Sequence, residues 1–266
     1  MTGVVAINHD ARDVVDRALH KARVAAYPPG EFVGQESFMR ASDILRLARL
    51  AGIGPATSVL DVCCGVGGPG LLVARQFGCT YHGVDASASA VSIARSRADG
   101  LDCRFDVVSV PPLPSGGYDV VLLFETMLAF PDKRDLLRHI GAALPPSGRF
   151  VFTVEEGEPL TERERTSMPE SGTVWLTPLR ELQSHLLAAG LNTTVQLDCS
   201  QVHQVIAQRL YEELSADSTD IARQLGAETV ESLLTAHRLW SEWLQTGRVR
   251  KFVFVTERTP PTPALA

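Results

Sequence analysis

The chain has 266 residues, 45% of them hydrophobic, with a net charge of -6 at pH 7 and a mean hydropathy of +0.05. That is apolar material for one sizeable α/β core with an appended subdomain. The absence of a basic run argues against nucleic acid as a partner, and the absence of a long uninterrupted apolar run argues against a membrane span.

Helical spacing of Val14, Val15, Ala18, Leu19 and Ala22 predicts a helix over residues 10–26. Tyr27, Pro28, Pro29 and Gly30 break it. A polar and aromatic segment, 31–38, leads into a second helix over 42–51, closed by Gly52 and Gly54-Pro55. Residues 1–54 thus read as a helical cap ahead of a main domain over 55–258. The start carries no basic region followed by an apolar stretch, so no secretory signal is expected. Five cysteines, an odd number without the paired spacing of a zinc site, read as reduced thiols in a cytoplasmic protein with no metal.

The rest of the chain is organised around residues 57–87, TSVLDVCCGVGGPGLLVARQFGCTYHGVDAS. Val59, Leu60 and Val62 form a short apolar strand that runs into glycines. A helix begins at Leu71, a second strand covers 79–84, and Asp85 sits at its carboxyl end. Such a unit binds ligands outside the carboxyl ends of its strands. Gly65-x-Gly67-x-x-Gly70 with Asp85 twenty residues on fits a dinucleotide site. Three features point instead to S-adenosylmethionine (SAM). Asp61 lies inside the strand, where it can anchor an ammonium group. Pro69 removes an N–H from the helix start, which weakens a pyrophosphate cradle. The unit also starts almost sixty residues into the chain.

VLDVCCGVGG resembles the first motif of the class I SAM-dependent methyltransferases, with Asp85 as their ribose-binding acid. The family usually has glycine where this chain has Cys63. The resemblance implies a doubly wound, seven-stranded, mostly parallel sheet with an antiparallel edge hairpin. It also implies SAM as cofactor, S-adenosylhomocysteine as product, and cofactor contacts from Asp61, Gly65, Gly67, Asp85, Ala86 and Phe124. An adenine contact falls on Ser109, or on Asp106 in a shifted register. The N-terminal segment closes over the cofactor in this family, so Tyr27, Gln35 and Glu36 are expected near SAM or the substrate. A solvated linker anchored by Phe32 and Phe38 is the alternative.

Further along, helices are expected over 87–98, 131–144 and 177–189, and strands over 103–108, 118–124, 149–154, 192–198 and 250–256. Residues 158–173 read as polar and irregular. Residues 200–247, between the last two strands, carry two apolar helical stripes. They form either a substrate lid or a homodimer surface. The tail, 259–266, has three prolines and is expected to be disordered.

For the chemistry, Glu125 follows the fourth strand. The resemblance places it beside the methyl group, where some enzymes that methylate alkenes have an acid. A carboxylate there can stabilise a cation, remove a proton, or bind an amine. Glu155 and Glu156 are weaker candidates. His203 and His237, in the lid, are candidate bases, with a structural role as the alternative. Trp175, Trp240 and Trp243 are candidate pocket walls, and Arg163, Arg165 and Arg180 candidate anion holders. The expected reaction is methyl transfer to a small-molecule acceptor of secondary metabolism, on carbon, oxygen or nitrogen. An NAD-dependent oxidoreductase and a non-catalytic SAM-binding module are the rivals.

Overall fold

The computed structural model describes residues 9–259, with side chains from residue 14 onward. Seven strands form one sheet: β1 (Ser58–Val62), β2 (Thr80–Asp85), β3 (Cys103–Val107), β4 (Val120–Leu123), β5 (Arg149–Glu156), β6 (Leu191–Asp198) and β7 (Arg250–Arg258). Their order is β3-β2-β1-β4-β5-β7-β6. All pairings among β1 to β5 are parallel, and β7 pairs antiparallel with both β5 and β6. The strand order reverses between β1 and β4, and that switch point is where such sheets take ligands.

Alternation along the strands sends side chains to two cores. Val59, Val120, Leu122, Val151, Val253 and Val255 pack on one face with α2 (Ala41–Leu50), α3 (Gly68–Phe77) and α4 (Ala88–Arg97). Leu60, Val62, Val121, Leu123, Phe150, Phe152 and Phe254 pack on the other, with α5 (Lys133–Ala143) and α7 (Leu179–Ala188). The central strands read as continuous apolar runs because both of their faces are covered.

Short segments differ from their sequence reading. Residues 158–173 are not irregular throughout. They contain α6 (Glu162–Ser167), started by a capping box in which Thr161 and Glu164 satisfy each other's backbone N–H groups, and a turn of 3-10 helix at Ser171–Thr173. β5 runs two residues past the expected end and takes in Glu155 and Glu156. Pairing with β7 is what extends it, since Glu155 lies opposite Lys251 and Glu156 opposite Arg250.

The insertion folds as α8 (Ser200–Ala216), α9 (Ser218–Leu225) and α10 (Ala227–Thr246). The cap helix α1 (His9–Ala26) packs into it. Leu19 and Ala22 are buried with Leu214, Ile221 and Val230, and Ala26 and Tyr27 with Ile206 and Leu210. Cap and insertion are therefore one roof over the carboxyl edge of the sheet. The expected tail lies outside the described residues apart from Thr259. Among the described residues no helix is long and apolar enough to cross a membrane.

Candidate functional site

The glycine turn after β1 forms one wall of a cleft of about 200 Å³, bounded by Gly34–Ser37, Cys63–Val66, Gly68, Asp85, Phe124 and Glu125. Cys63 opens the turn with φ 60°, the left-handed conformation that glycine adopts freely, which accounts for the family's usual glycine there. Gly67 caps α3 at φ 81°. A Cβ on Gly68 would stand 2.5 Å from the carbonyl oxygen of Val33, so the 33–34 segment lies directly on the turn. Gly65 also faces the cleft, and a Cβ there would enter open space.

Asp85 accepts from the Gly65 N–H at 3.0 Å through one oxygen and from the Ser87 N–H at 2.8 Å through the other. Two backbone donors fix the carboxylate, and its free lone pairs remain for ligand hydroxyls. Gln35 lines the cleft as well, but its amide is fully engaged. It accepts from the Val33 N–H and donates to the carbonyls of Glu31 and Met39, so it shapes the 31–39 loop. Phe124 is buried at the cleft.

Other expected contacts lie elsewhere. Asp61 is 4% exposed and does not line the cleft, and the Tyr81 hydroxyl donates to it at 2.5 Å. Burial pushes the Asp61 carboxyl up to about 7, against the lowering effect of that hydroxyl. Ser109 and Ala86 are exposed and off the cleft. The alternative adenine acid, Asp106, is taken up by His82 at 3.0 Å and by Arg104. Gly67 packs against Ala94, Leu71 and Phe105.

A second cavity of about 300 Å³ adjoins the first and shares Gln35, Glu36, Ser37 and Glu125 with it. Its walls come from the 31–38 loop, from Met168–Val174, and from Leu210, Leu233, Ala236, His237 and Trp240 of the roof. Tyr27 belongs here, with its hydroxyl donating to the Ser37 carbonyl. Trp240 is a wall, and Trp243 packs edge-on behind it. Trp175 is instead outside the cavity, under the Arg165 guanidinium. Arg163, Arg165 and Arg180 are likewise absent from the walls, where the cation is Arg23.

Glu125 stands where the two cavities meet. Its backbone is left-handed, at φ 61°, a conformation that costs a non-glycine residue about 1–2 kcal/mol. The structure holds it there. Its N–H donates to Thr153 Oγ1 at 2.6 Å, and its Oε2 accepts from the Phe38 N–H at 3.3 Å. Its Oε1 lies 2.7 Å from Lys251 Nζ.

Lys251 is 1% exposed and also donates to Glu155 Oε1. One buried ammonium thus joins two buried carboxylates. Burial alone would lower Lys251, but the two carboxylates raise it above the usual lysine range. Burial would raise Glu125, and the Lys251 charge reverses that and lowers it. Glu155 is raised by burial and by the Glu125 charge, with Lys251 opposing.

The two histidines separate. His237 lines the second cavity, whereas His203 is 1% exposed and not part of it. Burial pushes both down to about 4, so each is a weak base at neutral pH. Sequence reasoning passed over Lys251. Its signal was the alternation in RKFVFVT, which puts Lys251, Val253 and Val255 on one face of β7.

Comparison with known proteins identifies the family and the fold. The profile of the family described as "Methyltransferase domain" matches residues 10–196. The chain is 27% identical over 237 residues to the 27-O-demethylrifamycin SV methyltransferase of Amycolatopsis mediterranei (strain S699), covering 85% of each chain. In structure it resembles a cyclopropane synthase of Mycobacterium tuberculosis, with a TM-score of 0.79, 15% identity, and 96% and 97% of the two chains covered. It also resembles phosphoethanolamine N-methyltransferase 2 of Haemonchus contortus, with a TM-score of 0.76 and 18% identity, over 94% of this chain and 60% of that one.

Proposed function

From the premise that the chain belongs to the class I SAM-dependent methyltransferases and takes SAM as its cofactor, we propose that it methylates a hydroxyl of a small, largely apolar molecule bound in the 300 Å³ cavity. The observation that carries this reading is the position of Glu125, on the walls of both cavities at once. In this reading Asp85 holds the ribose, Gly65 leaves room for the cofactor, and Gln35 keeps the 31–39 loop closed over it. SAM supplies an electrophilic methyl. The protein supplies alignment and exclusion of water, and such alignment is worth roughly 7–11 kcal/mol in favourable cases.

The Glu125 carboxylate, pinned by Lys251 and the Phe38 N–H, is a fixed negative charge beside an acceptor that becomes positive as it takes the methyl. Leu128, Val174, Leu233 and Trp240 hold the apolar body of the acceptor. A second carboxylate, Glu155, lines the same cavity and can accept a proton that the acceptor loses. The name of the Amycolatopsis relative, an O-methylating enzyme, supports oxygen. An amine is the second reading, favoured by four carboxylates, Glu36, Glu125, Glu155 and Glu170, against the single guanidinium of Arg23 on the walls.

Incubation with methyl-deuterated SAM and a metabolite extract of the source organism tests this. NMR of the labelled product should place the deuterated methyl on oxygen. A label on carbon overturns the hydroxyl reading, and a label on nitrogen replaces it with the second.

A further inference from the structure

Two carboxylates share one ammonium at this site, and they are not equivalent. Glu125 accepts from the Phe38 N–H on Oε2 and forms an ion pair with Lys251 Nζ at 2.7 Å on Oε1, which takes no hydrogen bond. Glu155 takes the Lys251 hydrogen bond alone, on Oε1; its Oε2 is buried without a partner, and the residue lines the substrate cavity. Glu155 is 5% exposed. The register makes this arrangement rigid. Glu155 and Lys251 are directly opposed across β5 and β7, on the face that Thr153 shares with Glu125.

We infer that Glu155, not Glu125, takes the proton that the acceptor loses on methylation. The step balances as follows. The acceptor oxygen bonds to the methyl carbon, the methyl–sulfur bond breaks with its electron pair left on sulfur, and the hydroxyl proton moves to Glu155 Oε2. Before transfer the cluster carries two carboxylates and one ammonium, and afterwards one of each. Glu125 remains ionised throughout, because the Lys251 charge and the Phe38 N–H favour its charged form. The two carboxyls are driven apart in acidity, down for Glu125 and up for Glu155, which is the division expected of a fixed anion beside a general base.

Arg23, Glu36, Glu170 and His237 share the cavity walls with the pair, and other titratable groups lie close by. They are His203 from α8, Cys199 before α8, Tyr27 and Lys133. Burial holds His203 neutral and raises the Cys199 thiol and the Tyr27 phenol, so none of these three changes charge near neutral pH. Lys133, lowered to about 8 by burial, is spent on the carbonyls of Phe130 and Trp175.

The inference rests on the cavity being the acceptor site, and the test separates the two ideas. Carboxyl-13C-glutamate protein saturated with S-adenosylhomocysteine is titrated by NMR from pH 4 to 9. One glutamate should titrate above the ordinary range near about 4.3, persist in Glu125→Gln and vanish in Glu155→Gln. With the acceptor that carries the deuterium label, Glu155→Gln should lower kcat by about 10²- to 10⁴-fold and abolish the acid limb of its pH profile. Glu125→Gln should lower kcat and keep that limb. Should Glu155→Gln not fold, Glu155→Asp should keep the limb at reduced kcat. A high-titrating resonance lost in Glu125→Gln, its absence from the wild type, or an acid limb surviving in Glu155→Gln overturns the inference. Full activity in both variants would instead overturn the placement of the acceptor.

Discussion

Replacing Lys251 with methionine is the most informative perturbation of this fold. The side chain is 1% exposed and lies against two carboxylates that are themselves about 10% and 7% exposed. Methionine fills most of the lysine volume, so packing is largely kept and the charge is what is lost. Removing one partner of a buried ion pair costs about 3–5 kcal/mol, because the remaining charge is left desolvated. At roughly 2–4 °C per kcal/mol for a chain of this size, Tm should fall by about 6–20 °C at pH 8. Acid should soften the loss. Without the ammonium, burial raises both carboxyls above the unfolded value of about 4.3, so between that pH and their folded values the native state holds protons that the unfolded chain has released. Stability then falls as pH rises through that window. In the wild type Glu125 behaves oppositely, since its lowered carboxyl contributes stability that is lost only as pH drops below the unfolded value. Calorimetric melts of the cofactor-free protein at pH 5 and pH 8 measure the difference. An equal Tm loss at both pH values, or a loss under about 2 °C at pH 8, would refute the reasoning that these charges are buried and mutually dependent.

Three other outcomes follow from the cofactor cleft. Asp85→Ala removes a charged acceptor held by two backbone donors and should weaken S-adenosylhomocysteine binding by about 1.5–3 kcal/mol, or roughly 10- to 150-fold, in calorimetric titration. Asp61→Asn should raise the Tm of the cofactor-free protein more at pH 8 than at pH 5. The reason is that the raised Asp61 carboxyl costs stability as pH climbs from about 4 toward 7. Because its carboxyl is engaged by Tyr81 away from the cleft, the same variant should leave S-adenosylhomocysteine affinity nearly unchanged. Gly68→Ala places a methyl 2.5 Å from the Val33 carbonyl oxygen. It should push the 31–39 loop off the turn, weaken S-adenosylhomocysteine binding, and speed tryptic cleavage at Arg40.

The sheet was legible because its central strands are short, mostly apolar and punctuated by glycine and proline. Asp85 and Gly65 share one wall of the cleft because a single βαβ unit, contiguous in sequence, builds it. The expected contacts that lie off this cleft share a different cause. Ser109 was assigned from its spacing after β3, but the chain beyond that strand turns outward and leaves it exposed. Asp61 has the expected position in β1, yet Tyr81, twenty residues later, reaches its carboxyl first. The buried cluster of Glu125, Glu155 and Lys251 depends on pairing between residues far apart in sequence. Glu155 looked like a solvated residue after a strand until β7 extended that strand and set Lys251 against it. No local pattern joins positions 155 and 251. The antiparallel register of β5 and β7 does so.

A crystal structure with S-adenosylhomocysteine bound tests the central claim most directly, that Glu125 stands between the methyl donor and its acceptor. Ribose hydroxyls should sit on Asp85 and the sulfur at the junction of the two cavities, facing Glu125 and open toward Trp240 and His237. A ligand sulfur directed away from Glu125, or an adenosine bound off Asp85, would contradict it.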